Sequence, residues 1–124
     1  MNKRILVVED NEDNRRIIRD LLTSVGYELL EAMDGVEGVA MAQQHRPDLI
    51  LMDIQLPVID GYEATRRIRT IPELADVPII AVTSYALSGD EPKTREAGCD
   101  GYVAKPFSPR ELLAKLREFL PDAE

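Results

Sequence analysis

Residues 48–61 read DLILMDIQLPVIDG, and this stretch decides the fold. Four apolar residues follow Asp48 without interruption, which is typical of a strand covered on both faces in a parallel sheet. A loop of residues 53–60 comes next, and a helix is predicted to begin at Gly61. The stretch therefore predicts a strand, a loop and a helix in the order of one β–α unit.

Short apolar runs alternate with longer amphipathic stretches along the rest of the chain. Strands are predicted at residues 5–8, 27–32, 48–52, 79–82 and 101–104. Helices are predicted at residues 11–25, 36–45, 61–70, 88–97 and 109–120. The fourth helix is the weakest, because Gly89 and Pro92 fit only its first turn. Strand–helix alternation with right-handed crossovers predicts an α/β fold, a doubly wound parallel sheet of five strands with five helices on its two faces.

The helical period of 3.6 residues also predicts which side of each helix faces the sheet. The inward face of the first helix is predicted to carry Ile17, Ile18, Leu21, Leu22 and Val25. The inward face of the second helix is predicted to carry Val36, Val39, Ala40 and Gln43. A solvated face of the third helix is expected to carry Arg66, Arg67 and Arg69. Ser108 is expected to cap the last helix, with Pro109 at its first position.

Length and composition limit the classes of protein that this chain can form. At 124 residues, with 44% hydrophobic and 31% charged side chains, it is predicted to be one globular domain that spans residues 1–124. The net charge of −8 argues against nucleic acid or an anionic membrane surface as a partner. The single cysteine, Cys99, excludes an internal disulfide and a cysteine-rich zinc site. The sequence contains neither a membrane span nor a signal peptide, so we expect a cytoplasmic protein.

Polar side chains occupy the positions that follow four of the five predicted strands. Glu9 and Asp10 follow the first strand, Asp53 the third, Thr83 the fourth and Lys105 the fifth. In sheets of this kind, ligands bind outside the carboxyl ends of the strands, near the point where the strand order reverses. The sequence therefore predicts that three acids, one hydroxyl and one ammonium converge on one small crevice.

These residue types indicate the chemistry of the crevice. Three carboxylates held close together repel one another, so protons or a cation must lie among them. Mg²⁺ suits such a site, because it takes one or two carboxylates, a backbone oxygen and several waters as ligands. The Lys105 ammonium and the Thr83 hydroxyl are donors that an anion beside the metal would satisfy. Phosphoryl oxygens fit, since a metal, an ammonium and a hydroxyl spread the charge of phosphoryl transfer.

The same residues form motifs of a known family. In order along the chain, the motifs are Glu9-Asp10-Asn11, residues 53–61 (DIQLPVIDG), Thr83-Ser84 and Lys105-Pro106-Phe107. Across residues 3–120 they resemble the response-regulator receiver domains of two-component signalling. The resemblance implies a flavodoxin-like fold with the strand order 2-1-3-4-5.

The resemblance also implies roles for the acids. Asp53 would accept a phosphoryl group from a phosphohistidine of a sensor histidine kinase or a histidine phosphotransfer protein. Asp10, Asp53 and the backbone carbonyl of Gln55 would bind Mg²⁺ directly, and Glu9 would act through water.

Other family positions concern the switch that follows phosphorylation. Lys105 would pair with Asp53 and then with the phosphoryl group, while Thr83 would donate a hydrogen bond to a phosphoryl oxygen. Tyr102 matches the aromatic residue that turns inward when Thr83 moves, and the Lys105–Pro106 bond is cis in the family. The change would reach the protein-binding surface formed by the fourth helix, the fifth strand and the fifth helix, where a downstream protein target binds.

The resemblance is to stand-alone receivers of cell division and chemotaxis, because no output domain is recognised in residues 1–124. It implies a signalling switch rather than an enzyme.

Two other classes of protein fit this sequence less well. A haloacid-dehalogenase-type phosphatase needs a second acid two residues after its nucleophile, where this chain has Gln55. A flavodoxin-like cofactor binder needs a Ser/Thr/Gly-rich phosphate loop after the first strand, where residues 9–13 read EDNED.

Two departures from the family pattern, and two bulky flanking residues, lie close to the predicted site. Glu9 replaces the commoner aspartate, which alters the reach of the carboxylate but not its charge. Ser84 stands where alanine is usual. Gln55 and Tyr85 flank the route of attacking water in the family, so their bulk predicts a long-lived phosphorylated state.

Overall fold

The computed structural model describes residues 3–83 and 90–120, and at residues 90 and 91 it describes the backbone only. The strands are β1 (Arg4–Val8), β2 (Glu28–Ala32), β3 (Leu49–Asp53), β4 (Ile79–Thr83) and β5 (Gly101–Ala104). The helices are α1 (Glu12–Ser24), α2 (Gly35–His45), α3 (Gly61–Arg69), α4 (Asp90–Ala97) and α5 (Pro109–Phe119), and a 3₁₀ turn spans Pro72–Leu74. Within the described residues, the five strands form one parallel sheet in the order β2-β1-β3-β4-β5. The predicted fold class and the implied strand order are confirmed.

Hydrophobic side chains cover both faces of the sheet. Leu6 of β1 and Ile50 of β3 lie in the cluster beneath α2 and α3. Their chain neighbours Ile5 and Leu49 lie in the cluster beneath α1 and α5. All four side chains are fully buried, and each contributes about 1.5–3 kcal/mol to folding. The sheet is therefore a rigid base for the polar residues at its edge.

Only part of the predicted inward face of α1 is buried. Ile18 and Leu22 are buried, whereas Ile17 is 59% and Val25 is 44% exposed. Adjacent helical residues differ by about 100° around the helix axis, so Ile17 lies on the flank when Ile18 faces the sheet. No helix within residues 3–83 and 90–120 combines the length and apolarity needed to cross a bilayer.

α2 packs through its smallest residues. Its predicted inward face is correct for Val39, which packs against the cluster beneath α2 and α3, and wrong for Val36, Ala40 and Gln43, which are exposed. Val36 is 45% exposed, whereas Gly35 and Gly38 are buried. A Cβ atom at Gly38 would lie 2.9 Å from the methyl groups of Val8. α2 therefore lies closer to β1 than a larger side chain at position 38 would allow.

The predicted solvated face of α3 is correct for two arginines and wrong for the third. The side chains of Arg66 and Arg67 are 55% and 49% exposed, but that of Arg69 is 18% exposed. The Arg69 guanidinium donates hydrogen bonds to Val77 O at 2.6 Å and to Gly98 O at 2.7 Å. Residue type alone does not predict that the Arg69 side chain points inward, because its acceptors are backbone carbonyl oxygens of other segments of the chain.

Four helices begin at the edge of the sheet where the strands end, and each has a side-chain cap. The capping residues are Asn11 for α1, Asp34 for α2, Asp60 for α3 and Ser108 for α5. As predicted, Ser108 caps α5 with Pro109 at the first position, and Glu111 completes a capping box. These helix N-termini are thus gathered around the crevice.

Candidate functional site

The carboxyl ends of the strands hold the residues that the sequence predicts for the site. Glu9 and Asp10 directly follow β1, and Lys105 directly follows β5. Asp53 and Thr83 are the last residues of β3 and β4. Since β1, β3, β4 and β5 are consecutive neighbours in the sheet, these side chains share one edge.

Three carboxylates lie close together at this edge. One oxygen from each of Glu9, Asp10 and Asp53 lies within 4.8 Å of the others. Glu9 and Asp53 are 2% and 3% exposed, whereas Asp10 is exposed. The cluster therefore meets solvent on the side of Asp10, and its oxygen donors are those that Mg²⁺ prefers.

The Lys105 ammonium bridges the two buried carboxylates. Its Nζ lies 3.0 Å from Glu9 Oε1 and 3.0 Å from Asp53 Oδ2. Burial alone would lower the pKa of Lys105, but the charge of Asp53 and the hydrogen bonds to Glu9 and Asp53 raise it above its ordinary value. Three carboxylates and one ammonium leave the cluster with a formal charge of two negative units.

Backbone N–H groups hold the other oxygen of each buried carboxylate. Gln55 N donates to Asp53 Oδ1 at 3.0 Å, and Asn11 N donates to Glu9 Oε2 at 3.2 Å. Each buried carboxylate thus has a backbone donor on one oxygen and Lys105 on the other. This arrangement fixes the orientation of both groups.

The loop between β3 and α3 is bound tightly to the end of β3. Ile54 N donates to Val82 O at 3.1 Å, and Gly61 N donates to Ile54 O at 2.9 Å. A Cβ atom at Gly61 would collide with the carbonyl oxygen of Asp53. Within the loop, Val58 has a φ of +74° and is 74% exposed. α3 therefore begins in direct contact with the strand end that carries Asp53.

Thr83 and Tyr102 lie on β4 and β5, on the far side of Asp53 from β1. Thr83 is fully buried, and its carbonyl oxygen accepts a hydrogen bond from Lys105 N at 2.7 Å. Tyr102 is half-buried and packs against the cluster beneath α2 and α3. The Lys105–Pro106 peptide bond is cis.

A groove of about 510 Å³ opens beside the buried acids. Its lining includes the polar side chains of Glu9 and Lys105 and the apolar side chains of Ile17 and Phe107. The exposed side chain of Ile17 makes this approach partly apolar. The groove gives access from solvent to the Lys105 side of the cluster.

Comparison with known proteins identifies the family. A family model described as the response regulator receiver domain matches residues 5–117. The chain belongs to this family. Response regulator receiver domains are signalling switches of two-component systems.

Curated relatives of this receiver domain include response regulators that it matches over their whole length. The polar-differentiation response regulator DivK of Brucella anthropi is 44% identical over 123 residues, which cover 99% of this chain and 100% of the relative. DivK of Brucella ovis is 43% identical over 123 residues, with the same coverage. The receiver domain described here is thus similar to DivK over its whole length.

Solved structures include other receiver domains. The receiver domain of the sensor histidine kinase PA1611 from Pseudomonas aeruginosa PAO1 has a TM-score of 0.92 at 43% identity, covering 98% of this chain and 100% of that one. It was crystallised with a magnesium ion coordinated in its active-site cleft. The chemotaxis protein CheY4 of Vibrio cholerae has a TM-score of 0.91 at 30% identity, covering 96% of this chain and 99% of that one.

One contact of this receiver site does not follow from the sequence. The motifs imply the pairing of Lys105 with Asp53, which lie 3.0 Å apart, but they do not imply the contact of Lys105 with Glu9. The one feature of the sequence that could have indicated this contact is the glutamate at position 9. Its side chain is one methylene group longer than that of aspartate, so its carboxylate reaches farther from the backbone.

Proposed function

We propose that Asp53 is the phosphoacceptor of this receiver domain and takes a phosphoryl group from a phosphohistidine of a sensor histidine kinase or a histidine phosphotransfer protein. The observation that carries the proposal is the Asp53 carboxylate, which is 3% exposed and lies 3.0 Å from Lys105 inside a cluster of acids. Burying a carboxylate is costly unless it is paired and hydrogen-bonded, so this placement supports a chemical role.

The transfer exchanges a P–N bond for a P–O bond. An oxygen of the Asp53 carboxylate bonds to phosphorus, and the bond between phosphorus and the imidazole nitrogen breaks. The nitrogen keeps the electron pair, and the donor histidine leaves as a neutral imidazole once its ring holds one proton. The acyl phosphate on Asp53 carries close to two negative charges, and the nearby Lys105 ammonium offsets the added charge.

The acidic cluster also suits Mg²⁺. Asp10, Asp53 and the backbone carbonyl of Gln55 would hold the ion, and Glu9 would act through water. The donors are oxygen atoms, and a cluster charge of two negative units matches a divalent cation. When bound, Mg²⁺ stabilises the negative charge that develops on the phosphoryl oxygens.

Phosphorylation would act by a shift between two arrangements of the strand ends. Lys105 and Thr83 would contact phosphoryl oxygens in one arrangement only, so phosphorylation favours that arrangement. Tyr102 would follow Thr83 inward and change the α4–β5–α5 surface, to which a downstream protein would bind. A few kcal/mol of differential contact is enough to invert a biased equilibrium.

Acetyl phosphate with Mg²⁺ tests the proposal on the full chain by intact mass. We expect the wild type to gain one phosphoryl group and Asp53→Asn to gain none. Asp60→Asn is the matched control, because Asp60 lies in the same loop and caps α3, a role that asparagine also performs. Labelling that persists in Asp53→Asn, or disappears in Asp60→Asn, would contradict the proposal.

The lifetime of the phosphorylated state stays a prediction. Gln55 lies at the site through its backbone N–H, which donates to Asp53, whereas Ser84 and Tyr85 lie outside the described residues. The lifetime is measured by intact mass, as the loss of the phosphoryl group from the phosphorylated protein over time. A lifetime of seconds would contradict the expected shielding of the acyl phosphate.

A further inference from the structure

We propose that Glu9 is a positioning residue for phosphoryl transfer, because its carboxylate holds the Lys105 ammonium beside Asp53. Glu9 then acts on the reaction through Lys105, in addition to its effect on the metal. The inference rests on the proposed role of Asp53, and part of its test reads out the Lys105 contact without any phosphoryl transfer.

Both carboxylate oxygens of Glu9 have partners within the protein. Oε1 lies 3.0 Å from Lys105 Nζ, and Oε2 accepts a hydrogen bond from Asn11 N at 3.2 Å. Glu9 is 2% exposed, whereas the next residue, Asp10, is exposed. Asp10 is thus the acid that meets a hydrated ion from solvent, and Glu9 is the acid committed to Lys105.

The backbone of Glu9 is anchored on both sides. Its N–H donates to Ala32 O on β2 at 3.0 Å, and its carbonyl oxygen accepts a hydrogen bond from Arg15 Nη1 on α1 at 2.9 Å. The Arg15 side chain is only 10% exposed and lies 3.4 Å from Glu31. The backbone of Glu9 is therefore held in place by two hydrogen bonds, and its carboxylate helps to position the Lys105 ammonium.

A lysine held at two points needs little reorganisation when one of its partners changes. An unrestrained lysine side chain loses much rotamer freedom when it is ordered, and the contact with Glu9 has already restricted Lys105. When a phosphoryl oxygen replaces Asp53 Oδ2 as a partner, the ammonium keeps its bond to Glu9 and shifts over a short distance. Donors that are already oriented toward the developing charge stabilise it most effectively.

Two substitutions separate the reach of residue 9 from its charge. Glu9→Asp keeps the negative charge but is one methylene group shorter, so its carboxylate cannot span the present contact to Lys105. Glu9→Gln keeps the length and an acceptor oxygen but removes the charge. If positioning of Lys105 is the role of Glu9, reach matters more than charge.

The first measurement observes the ammonium directly, in protein labelled with ¹⁵N-lysine and without phosphodonor. The Lys105 side chain is 19% exposed. Its ammonium donates to two acceptors and therefore exchanges with water more slowly than a free ammonium does, so that its N–H signal becomes visible by NMR. We expect the Lys105 signal, assigned by its loss in Lys105→Arg, in the wild type and in Glu9→Gln. In Glu9→Asp we expect it to broaden beyond detection.

The second measurement compares transfer rates from acetyl phosphate at saturating Mg²⁺, with the Mg²⁺ dissociation constants determined by calorimetry. We expect Glu9→Asp to transfer about tenfold more slowly than the wild type, because a charge-assisted hydrogen bond is lost. We expect Glu9→Gln to transfer faster than Glu9→Asp, although only the aspartate keeps the charge.

The opposite results would overturn the proposal. If Glu9→Asp keeps the Lys105 signal, or if saturating Mg²⁺ restores its rate fully, Glu9 acts through the metal alone. If Glu9→Asp is unfolded, the comparison of Glu9→Gln with the wild type still decides, since loss of the Lys105 signal in Glu9→Gln contradicts the proposal. If the wild type takes no phosphoryl group on Asp53, the proposed function fails, while the NMR result still reports the Lys105–Glu9 contact.

Discussion

Val58 holds a conformation that its side chain disfavours. Its φ of +74° lies in the left-handed region, where a Cβ atom crowds the backbone at a cost of about 1–2 kcal/mol. The residue is 74% exposed, so little packing offsets this strain. We expect Val58→Gly to raise the free energy of unfolding by about 1 kcal/mol, because the added flexibility of glycine cancels part of the gain. Urea unfolding with an unchanged slope measures the difference.

Val36 provides the matched control for this substitution. It is also a partly exposed valine, at 45%, but it lies inside α2. Val36→Gly is expected to lower the free energy of unfolding by about 0.5 kcal/mol, since glycine is the poorer helix former. Loss of stability in both variants would show that Val58 is not strained.

Cys99 is a buried thiol whose environment suppresses its reactivity. The residue is 6% exposed, and burial raises the pKa of its thiol to about 11. The thiolate is the nucleophile, so the folded protein at pH 8 should react very slowly with iodoacetamide. We expect alkylation, followed by intact mass, only after unfolding in urea. Rapid alkylation of the native protein would contradict the buried position of Cys99.

At the scale of elements, an ion pair joins α1 to the edge strand β2. Arg19 Nε and Nη2 lie 2.6 and 2.8 Å from the two carboxylate oxygens of Glu31. The hydrogen bonds and charge of Arg19, with the charge of Arg15, lower the pKa of Glu31 below its ordinary value. The ionised carboxylate therefore stabilises the fold above about pH 4.3, and this contribution is lost as pH falls through the lowered pKa.

Glu31→Gln tests this pH dependence. Because both side chains are partly exposed to solvent, we expect the variant to be less stable by no more than about 1 kcal/mol at pH 7. The difference between wild type and variant should shrink as the pH falls below about 4, and also as salt is added. Thermal unfolding between pH 3 and pH 7 measures both trends. A difference that grows on acidification would reverse the assigned sign.

The Arg69 side chain connects the end of α3 to the segment before β4 and to the segment between α4 and β5. These contacts lie at the opposite end of the sheet from the acidic cluster. The Arg69 guanidinium at the end of α3 contacts Val77 O before β4, Gly98 O after α4 and Asp100 Oδ2 before β5. A lysine cannot reproduce this planar set of donors. We expect Arg69→Lys to lower the free energy of unfolding by about 1–3 kcal/mol, because acceptors of Arg69 lose their donors.

Arg67→Lys is the control for Arg69→Lys. Arg67 lies two residues earlier on the same helix, is 49% exposed and pairs with Glu63 at 3.0 Å. Its replacement should change the free energy of unfolding by less than about 0.5 kcal/mol. Equal effects of the two substitutions, measured by urea unfolding, would contradict the special role of Arg69.

The elements follow from the sequence more closely than their packing does. Apolar runs identify the five strands to within one residue at each end among the described residues, because a strand buried on both faces is a continuous apolar run. The inward faces of the helices are predicted less accurately than the strands, since Ile17 and Val36 are exposed. Periodicity gives the direction of a side chain but not the depth at which a helix packs, and α2 lies so close to β1 that Gly38 replaces Val36 as the contact.

At the scale of the whole molecule, the acidic cluster links cation binding to folding. Its two negative units are part of the net charge of −8 that the whole chain carries. An ion that binds only the folded protein stabilises it by about 2.7 kcal/mol at a concentration of 100 dissociation constants. We expect MgCl₂ to raise the unfolding temperature of the wild type, and to do so much less in Asp53→Asn, which lacks one carboxylate.

Potassium chloride at equal ionic strength is the control for this effect. General screening acts on all the acidic residues and does not need the cluster. If potassium chloride raises the unfolding temperature as much as magnesium chloride does, the cluster is not a specific site for divalent cations.

The residues that form the site are easier to predict from the sequence than the contacts between their side chains. Strand ends meet at one edge, so Glu9, Asp10, Asp53 and Lys105 can be selected from topology together with the family motifs. The particular bonds depend on side-chain length and burial, and thus the contact between Lys105 and Glu9 appears only in the structure.

The separation along the chain between Lys105 and its partners has a consequence for biosynthesis. Lys105 lies 96 positions after Glu9 and 52 positions after Asp53. A ribosome releases the N-terminal part of a chain first, so both carboxylates emerge long before the cation that bridges them. A nascent chain that buried them early would hold like charges without their counterion. The cluster bridged by Lys105 is therefore completed only after Lys105 has been synthesised and β5 has joined the edge of the sheet.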